Sequence, residues 1–331
     1  MGAAGVRDDD EHARFERPRR HTRPRTKERP TYDDAVTARV VTIDRGRVTV
    51  ELDDDRRRVT TVKARHLGRK GVVVGDEVRV VGDLSGLPDT LARIVEVVPR
   101  RTELRRTADD DDPIERIVVA NADQMVVVTA LADPPPRPGL IDRCLVAAYD
   151  AGMTPIVCLT KADLADPAEV LGLLEPLDVQ VLVTQNAQDL DELREVLRDK
   201  VSVLLGHSGV GKSTLVNQLV PDAQRTTSHV NEVTGRGRHT STSAVWLPLP
   251  FGGTIVDTPG FRSFGLAHVE VDRIIRAFPD LDAASEACPR GCTHAASEPE
   301  CGLDLAVAEG RVAPARVASF RRVLTSREGR D

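Results

Sequence analysis

The chain has 331 residues and a formal net charge of -6, and 40% of its residues are hydrophobic but only 3% are aromatic. This length allows two or three domains, whose cores must consist mainly of Val, Leu, Ile and Ala. No segment reaches the roughly 18 apolar residues of a membrane span, and the N-terminus lacks a signal-peptide core. We therefore predict a cytoplasmic protein with no membrane partner.

Residues 1–36 form a basic segment with almost no apolar pattern, including the run "RFERPRRHTRPRTKERP". Such a composition cannot supply a packed core, so we predict a disordered basic tail. The sequence leaves two interpretations open: an arm that binds nucleic-acid phosphates, or a solvated tail without a partner.

Residues 37–101 contain several short runs of alternating apolar and polar residues, separated by turn residues. Several short strands at this spacing predict a small barrel, and we predict an OB-fold that binds RNA. Because the segment lacks aromatic side chains for base stacking, its RNA contacts are expected to depend mainly on arginine.

Residues 102–268 begin with an acidic linker and then alternate apolar strands with helical segments. This alternation predicts an α/β domain with a parallel sheet covered on both faces. Residues 269–331 are predicted to be helical. The predicted fold class is therefore multidomain, with an N-terminal all-β barrel, a central α/β domain and a C-terminal α-helical domain.

A phosphate-binding loop is predicted at "GHSGVGKST", which fits the pattern G-x-x-x-x-G-K-[ST] between an apolar strand and a helical run. The glycines let backbone N–H groups face the phosphates, Lys212 reaches the β- and γ-phosphates, and Ser213 binds Mg²⁺. The predicted nucleotide-binding residues of this loop are Gly206, His207, Ser208, Gly209, Val210, Gly211, Lys212, Ser213 and Thr214.

A second nucleotide motif, "DTPG", ends the apolar strand "TIVD". We predict that Asp257 holds Mg²⁺ through water and that the Gly260 N–H bonds the γ-phosphate. The motif is short, and its position at a strand end after the phosphate loop supports the assignment.

A guanine-binding loop is predicted at "TKAD", residues 160–163, where another apolar strand ends. The Asp163 carboxylate can accept two hydrogen bonds from guanine, whereas adenine lacks that donor pair and would leave the carboxylate unpaired. Lys161 can lie over the purine face. Thr160 stands where GTPases in general prefer Asn, so a guanine contact or a contact between loops is altered.

The order of these motifs is unusual, because the base loop precedes the phosphate loop. A parallel sheet binds its ligand across the carboxyl ends of several strands, so the site requires the loops in the right places rather than in a particular chain order. The complete set of motifs in rotated order indicates a circularly permuted GTPase domain.

These residues resemble the ribosome small-subunit-dependent GTPase A family over roughly residues 37–325, on "LIDRCLVAA", "LTKADL", "GHSGVGKSTLVN", "GRGRHTSTSAVW", "DTPGFRSFGL" and a late Cys/His cluster. The resemblance implies an OB-fold, a circularly permuted GTPase domain and a zinc-binding helical domain. It also implies hydrolysis of GTP to GDP, stimulated by the 30S subunit, in late 30S maturation. The implied partners are the 30S subunit and its 16S rRNA, and we predict a monomer.

Two further residues are assigned by this resemblance. Thr240 is expected to contact Mg²⁺ and the γ-phosphate, although "HTST" has Ser241 where a second Thr is usual. Ras-like proteins have a Gln after the glycine that corresponds to Gly260 of the "DTPG" motif, the glycine of the nucleotide-sensing switch. Here Phe261 follows Gly260 and cannot orient water. The resemblance makes His239 the catalytic candidate, and the alternative is a solvent-exposed loop histidine.

The late cluster consists of Cys288, Cys292, His294 and Cys301. Three thiolates and one imidazole form a closed tetrahedral ligand set, which predicts one structural zinc ion per chain. The alternative is a loose cysteine cluster, since the spacing differs slightly from that of the family. Cys144 and Cys158 lie in apolar runs and are predicted to be core thiols.

Two functional hypotheses remain. The first is a GTP-hydrolysing ribosome assembly factor, which Lys212, Ser213 and Asp257 favour. The second is an RNA-binding scaffold that nucleotide merely stabilises, since the switch glutamine is missing. A permuted GTPase that acts on the large subunit is disfavoured by the N-terminal barrel and the late zinc cluster.

Overall fold

The computed structural model describes residues 32–44, 46–68, 71–106, 116–185, 189–221, 244–259, 266 and 269–326. The chain divides after Asp33, and the segment Asp34–Asp331 forms one compact unit. All the contacts below lie within this unit.

The N-terminal part is a closed five-stranded barrel with the strand order β1-β2-β3-β5-β4, which β1 closes by pairing antiparallel with β4. Its strands are β1 (Val36–Asp44), β2 (Arg47–Leu52), β3 (Arg58–Lys63), β4 (Glu77–Gly82) and β5 (Ala92–Val97). Alternate apolar residues point inward and form a core that consists mainly of valines, together with Ala38, Leu52, Ala92 and Ile94. The predicted OB-fold barrel is confirmed.

A short antiparallel ribbon, β6 (Glu103–Arg106) and β7 (Arg116–Ala120), connects the barrel to the α/β part. A buried ion pair fixes this junction: the Arg100 guanidinium bonds both carboxylate oxygens of the fully buried Asp76, at 2.6 and 2.9 Å. Nearby, the Asn121 amide donates to the Gly75 carbonyl at 3.0 Å. Because each buried polar group has a partner, the barrel can pack closely here.

The α/β part contains a six-stranded sheet in the order β10-β9-β8-β11-β13-β12. Its strands are β8 (Gln124–Ala130), β9 (Thr154–Thr160), β10 (Gln180–Val183), β11 (Val201–Gly206), β12 (Val245–Pro248) and β13 (Thr254–Asp257). Its helices are α1 (Pro138–Asp150), α2 (Ala168–Leu174), α3 (Asp191–Leu197) and α4 (Lys212–Leu219). The first five strands in this order are parallel, so the carboxyl ends of β8, β9, β11 and β13 share one edge.

Strand β12 departs from the predicted parallel sheet, because it pairs antiparallel with β13. The two strands are joined by a tight turn, in which the Leu249 N–H bonds the Gly253 carbonyl at 3.0 Å. A connection this short permits only an antiparallel pair, since parallel strands require a crossover of a dozen or more residues. The other edge of β12 meets the barrel, where Val245 pairs with Thr42 of β1.

The C-terminal part is helical, as predicted, with α5 (Val271–Ile275), α6 (Pro279–Ser285), α7 (Gly302–Ala308) and α8 (Pro314–Ser326). The fully buried rings of Phe278 and Phe320 stack edge-on at 5.3 Å, and Phe278 stacks on Tyr149 of α1 at 5.1 Å. One apolar core therefore spans the sheet, α1 and the C-terminal helices. The described helices include none with the length and hydropathy needed to cross a membrane.

Candidate nucleotide and metal sites

The predicted phosphate loop connects β11 to α4 at the shared edge of the sheet. Gly206 is required by close packing, because a Cβ there would lie 2.6 Å from the Val128 carbonyl oxygen of the adjacent strand. Gly211 caps α4 at a φ of 90°, a backbone conformation that glycine adopts readily. The N-terminus of α4 therefore opens onto the loop, which is the usual arrangement for binding phosphate groups.

Lys212, the first residue of α4, contacts Asp257, the last residue of β13, because β13 lies next to β11, the strand that leads into the phosphate loop. The Lys212 ammonium forms an ion pair with the Asp257 carboxylate and also donates to the Thr258 carbonyl. The Thr258 hydroxyl in turn donates to the Leu204 carbonyl at 2.8 Å and fixes the start of the "DTPG" motif on β11. The predicted phosphate-binding cation and the predicted Mg²⁺ ligand therefore lie side by side.

Thr160 connects the base loop to the phosphate loop. Its hydroxyl lies 2.6 Å from the Val210 carbonyl oxygen and 3.3 Å from the Thr129 carbonyl oxygen, and the residue is only 5% exposed. The phosphate loop thus crosses over the end of β8 to reach the end of β9. Thr160 stands where most GTPases have Asn, and the sequence put in question both a guanine contact and a contact between loops. The contact between the loops is present.

The other predicted guanine-binding residues lie at the same edge. Lys161 has a φ of 60°, and its ammonium donates to the Asp133 carbonyl in the loop after β8. The Asp163 carboxylate is exposed. The backbone of Ala162 is anchored by its N–H, which donates to the Thr184 carbonyl at 3.3 Å.

The remaining predicted residues divide into two groups. Ser208, Gly209, Ser213 and Thr214 are exposed, and the His207 ring lies 3.0 Å from the Ser208 carbonyl oxygen. His239, Thr240 and Gly260 lie outside the described residues.

The Cys/His cluster is compact. The Nδ1 atom of His294 lies 3.5, 3.6 and 3.8 Å from the sulfurs of Cys288, Cys292 and Cys301, and all four atoms lie within 4.8 Å of one another. In a tetrahedral zinc site, neighbouring ligand atoms are about 3.6 to 3.8 Å apart. Burial lowers the pKa of His294, which favours the neutral imidazole that binds metals. The cluster can therefore hold a metal ion.

The other two cysteines are core residues, as predicted. Cys144 is buried on α1 and Cys158 on β9, and burial raises the pKa of both thiols to about 12. Such thiols stay protonated and make poor metal ligands.

Comparison with known proteins identifies the family. The family model described as RsgA GTPase matches residues 97–267. The chain belongs to the RsgA GTPase family. It is therefore a GTP hydrolase, as the resemblance implied.

Curated relatives support this assignment. The chain is 40% identical over 242 residues to "Small ribosomal subunit biogenesis GTPase RsgA" of Pseudomonas aeruginosa (strain LESB58), covering 70% of each chain. It is 36% identical over 269 residues to the protein of the same name from Gemmatimonas aurantiaca, covering 80% of this chain and 87% of the relative.

Solved structures share the architecture. The crystal structure of YjeQ from Thermotoga maritima superposes with a TM-score of 0.67 at 27% identity, covering 90% of this chain and all of that one. The crystal structure of YloQ, a circularly permuted GTPase, superposes with a TM-score of 0.63 at 22% identity, over 92% of this chain and 99% of that one. The predicted circular permutation is confirmed.

Two residues at the nucleotide edge of this RsgA-family chain were not predicted from the sequence. Asp133 and Thr258 each contribute a main-chain carbonyl, which accepts a hydrogen bond from Lys161 and Lys212 respectively. A main-chain acceptor leaves no signature in residue type. Only Thr258 had a sequence signal, because it lies inside the "DTPG" motif.

Proposed function

We propose that the protein binds the 30S ribosomal subunit, acts in its late maturation, and hydrolyses GTP with stimulation by that subunit. The observation that carries this proposal is the meeting of Thr160, Val210, Lys212 and Asp257 at one edge of the sheet, in a chain whose relatives are named small ribosomal subunit biogenesis GTPases. The site would bind GTP and GDP, and its occupancy would control the protein's affinity for the subunit.

In this proposal the nucleotide lies across the ends of β9, β11 and β13. Asp163 and Lys161 recognise guanine, and Gly206 to Thr214 cradle the phosphates. Ser213, Thr240 and Asp257 hold Mg²⁺, and the Gly260 N–H contacts the γ-phosphate. The exposure of Asp163 and Ser213 is consistent with these roles, because both side chains are accessible to a ligand.

Hydrolysis requires a group that positions the attacking water. Phe261 follows the switch glycine and offers no hydrogen-bonding group. We assign this role to His239, on the motif "GRGRHTST". If the 30S subunit orders this histidine, intrinsic turnover is slow and the subunit accelerates it.

The remaining parts would bind the subunit. The barrel, the basic tail and the C-terminal helical part contact 16S rRNA, and the four-ligand cluster holds one structural zinc ion. The protein works as a cytoplasmic monomer.

The test is GTP turnover by the full chain, alone and with purified 30S subunits, with 50S subunits and ATP as controls. We expect 30S subunits alone to stimulate GTP turnover, and His239→Ala to remove most of the stimulation. His229→Ala is the matched control, since His229 lies in the same segment between the phosphate loop and β12. Turnover that no ribosomal particle changes would refute the proposal and favour the scaffold hypothesis.

A further inference from the structure

Arg321 connects the two halves of the Cys/His cluster. This arginine lies on α8, next to the buried Phe320. Its Nε donates to the His294 carbonyl at 2.9 Å, and its two terminal nitrogens each bond one carboxylate oxygen of Asp304 at 2.8 Å. Three of its five N–H donors are therefore directed at a residue of the cluster and a residue beside it, and its side chain is only 17% exposed.

The two partners of Arg321 lie in different ligand segments, that is, in different stretches of chain that carry the cysteine and histidine ligands. His294 is itself a ligand, and its N–H also donates to the Cys292 sulfur at 3.4 Å. Asp304 lies in the first turn of α7, whose N-cap is Cys301. One guanidinium therefore spans from the loop that carries Cys292 and His294 to the helix that follows Cys301.

The backbone at His294 also requires support. Its φ is 59°, in the left-handed region, which residues other than glycine adopt only with strain. The bond from the His294 N–H to Cys292 holds the peptide group before this residue, and the bond from Arg321 to the His294 carbonyl holds the peptide group after it. In this conformation Nδ1 lies 3.5 to 3.8 Å from the three sulfurs.

We propose that Arg321 is a positioning residue for the metal site, which holds the His294 loop and the start of α7 in the geometry that the bound ion requires. This inference rests on the proposed zinc ion. Each ligand atom must be held near its tetrahedral position, so a side chain that fixes two ligand segments at once lowers the tendency of either to move away. The expected consequence is slow release of zinc.

The size of the effect can be bounded. Substitution of residues that orient metal ligands commonly costs about 10- to 100-fold in metal affinity. A lysine cannot replace this arginine fully, because a single ammonium lacks the planar fork that bonds a carboxylate and a carbonyl together. We therefore expect Arg321→Gln to have the larger effect and Arg321→Lys an intermediate one.

Arg316 on the same helix provides a matched control. It forms a similar two-bond ion pair with Asp280, at 3.0 and 2.9 Å, and its side chain is 16% exposed. Its other partners are the Pro176 carbonyl and the Phe278 ring, which lie outside the ligand segments. Arg316→Gln therefore removes an equivalent ion pair from α8 without touching the cluster.

The experiment measures the zinc content of the full-length chain and the rate at which zinc passes to an excess of a chromogenic chelator. We expect one zinc ion per unchanged chain, release about 10- to 100-fold faster from Arg321→Gln, and little change in Arg316→Gln. Asp304→Asn alters an exposed residue. It removes the ion pair between Arg321 and Asp304 but leaves the bond from Arg321 to the His294 carbonyl, so it tests the same role if Arg321→Gln folds poorly. Here we expect a smaller acceleration.

The possible results distinguish a failure of the role of Arg321 from a failure of the proposed zinc site. An unchanged chain without zinc would overturn both the zinc assignment and the role of Arg321. Stoichiometric zinc, released at the same rate by the unchanged chain, Arg321→Gln and Asp304→Asn, would overturn the role of Arg321 alone. Equal acceleration by Arg321→Gln and Arg316→Gln would also overturn it, since general loosening of α8 would then explain the result.

Discussion

At the residue scale, the connection between the base loop and the phosphate loop depends on one hydroxyl. Thr160 directs its side chain at the Val210 carbonyl and packs against Gly211, where a Cβ would lie 3.6 Å from the threonine oxygen. Its role is thus to hold the phosphate loop in place, while Asp163 remains the candidate for reading the base.

Thr160→Val tests this role, because valine keeps the shape of threonine and removes the donor. The buried Val210 carbonyl would lose its partner, which costs about 1 to 2 kcal/mol, so we expect GTP and GDP to bind roughly tenfold more weakly. Nucleotide titration by fluorescence measures both affinities. Thr160→Ser, which keeps the hydroxyl, should bind nearly as well as the unchanged chain. A change in the preference for guanine over adenine, with GDP affinity unchanged, would contradict this role.

At the element scale, α8 is fixed to α1 by a buried ion pair. The Arg322 guanidinium bonds both oxygens of Asp142, at 2.8 and 3.2 Å, and donates to the Leu173 carbonyl. Burial raises the pKa of Asp142, and Arg322 opposes that rise. The carboxylate therefore depends on its partner to remain ionised inside the protein.

Arg322→Met should be strongly destabilising, because it leaves the Asp142 charge buried and uncompensated. Removal of one member of such a pair costs about 3 kcal/mol in the free energy of unfolding. Urea unfolding at pH 7 measures this. The double substitution Asp142→Leu with Arg322→Met should recover much of the loss. Arg198→Gln, which removes an exposed pair with Glu195, should cost much less, because solvent screens such pairs. A similar cost for Arg198→Gln and Arg322→Met would refute this account.

The ion pair between Asp280 and Arg316 predicts a pH dependence with a definite sign. Hydrogen bonds from Arg316 lower the pKa of Asp280, so the folded chain binds fewer protons there than the unfolded chain. The contribution of the pair is fully present above the ordinary carboxyl pKa near 4 and is lost as the pH falls through the lowered value. The stability difference between the unchanged chain and Arg316→Gln should therefore shrink as the pH falls from 6 to about 3. A difference that grows on acidification would contradict the assignment.

The sequence predicted the elements more completely than the contacts between them. Alternating patterns and the glycine-rich loop located the barrel, the α/β part and the motifs, because each depends on local periodicity or on a short spacing. The antiparallel pairing of β12, its bridge to β1 and the contact of Thr160 with Val210 join distant segments. These contacts involve main-chain groups, which every residue type carries, so the residue types do not reveal them. The sequence likewise did not predict that Arg321 contacts the Cys/His cluster, since an arginine on a helix is usually solvated.

At the scale of the whole molecule, one sheet runs from the α/β part into the barrel. Strand β12 follows the segment that contains His239 and Thr240, pairs with β13 on one edge and meets β1 on the other. Arg39 of β1 lies over the ring of Trp246, the chain's one tryptophan, at 5.7 Å, and also bonds Glu77 within the barrel. A change in β12 can therefore reach the barrel through contacts that are already formed.

Arg39→Ala should weaken the coupling between the barrel and the nucleotide site. If the barrel binds the 30S subunit, its signal to the site passes through the contact between Arg39 and Trp246, and coupling free energies of this kind change rates or affinities about 5- to 150-fold. We expect basal GTP turnover to stay nearly constant while stimulation by 30S subunits falls about tenfold. Glu77→Gln is the control, because it removes the ion pair inside the barrel and leaves the contact with Trp246. Equal loss of stimulation in both variants would mean that barrel stability, rather than this contact, carries the signal.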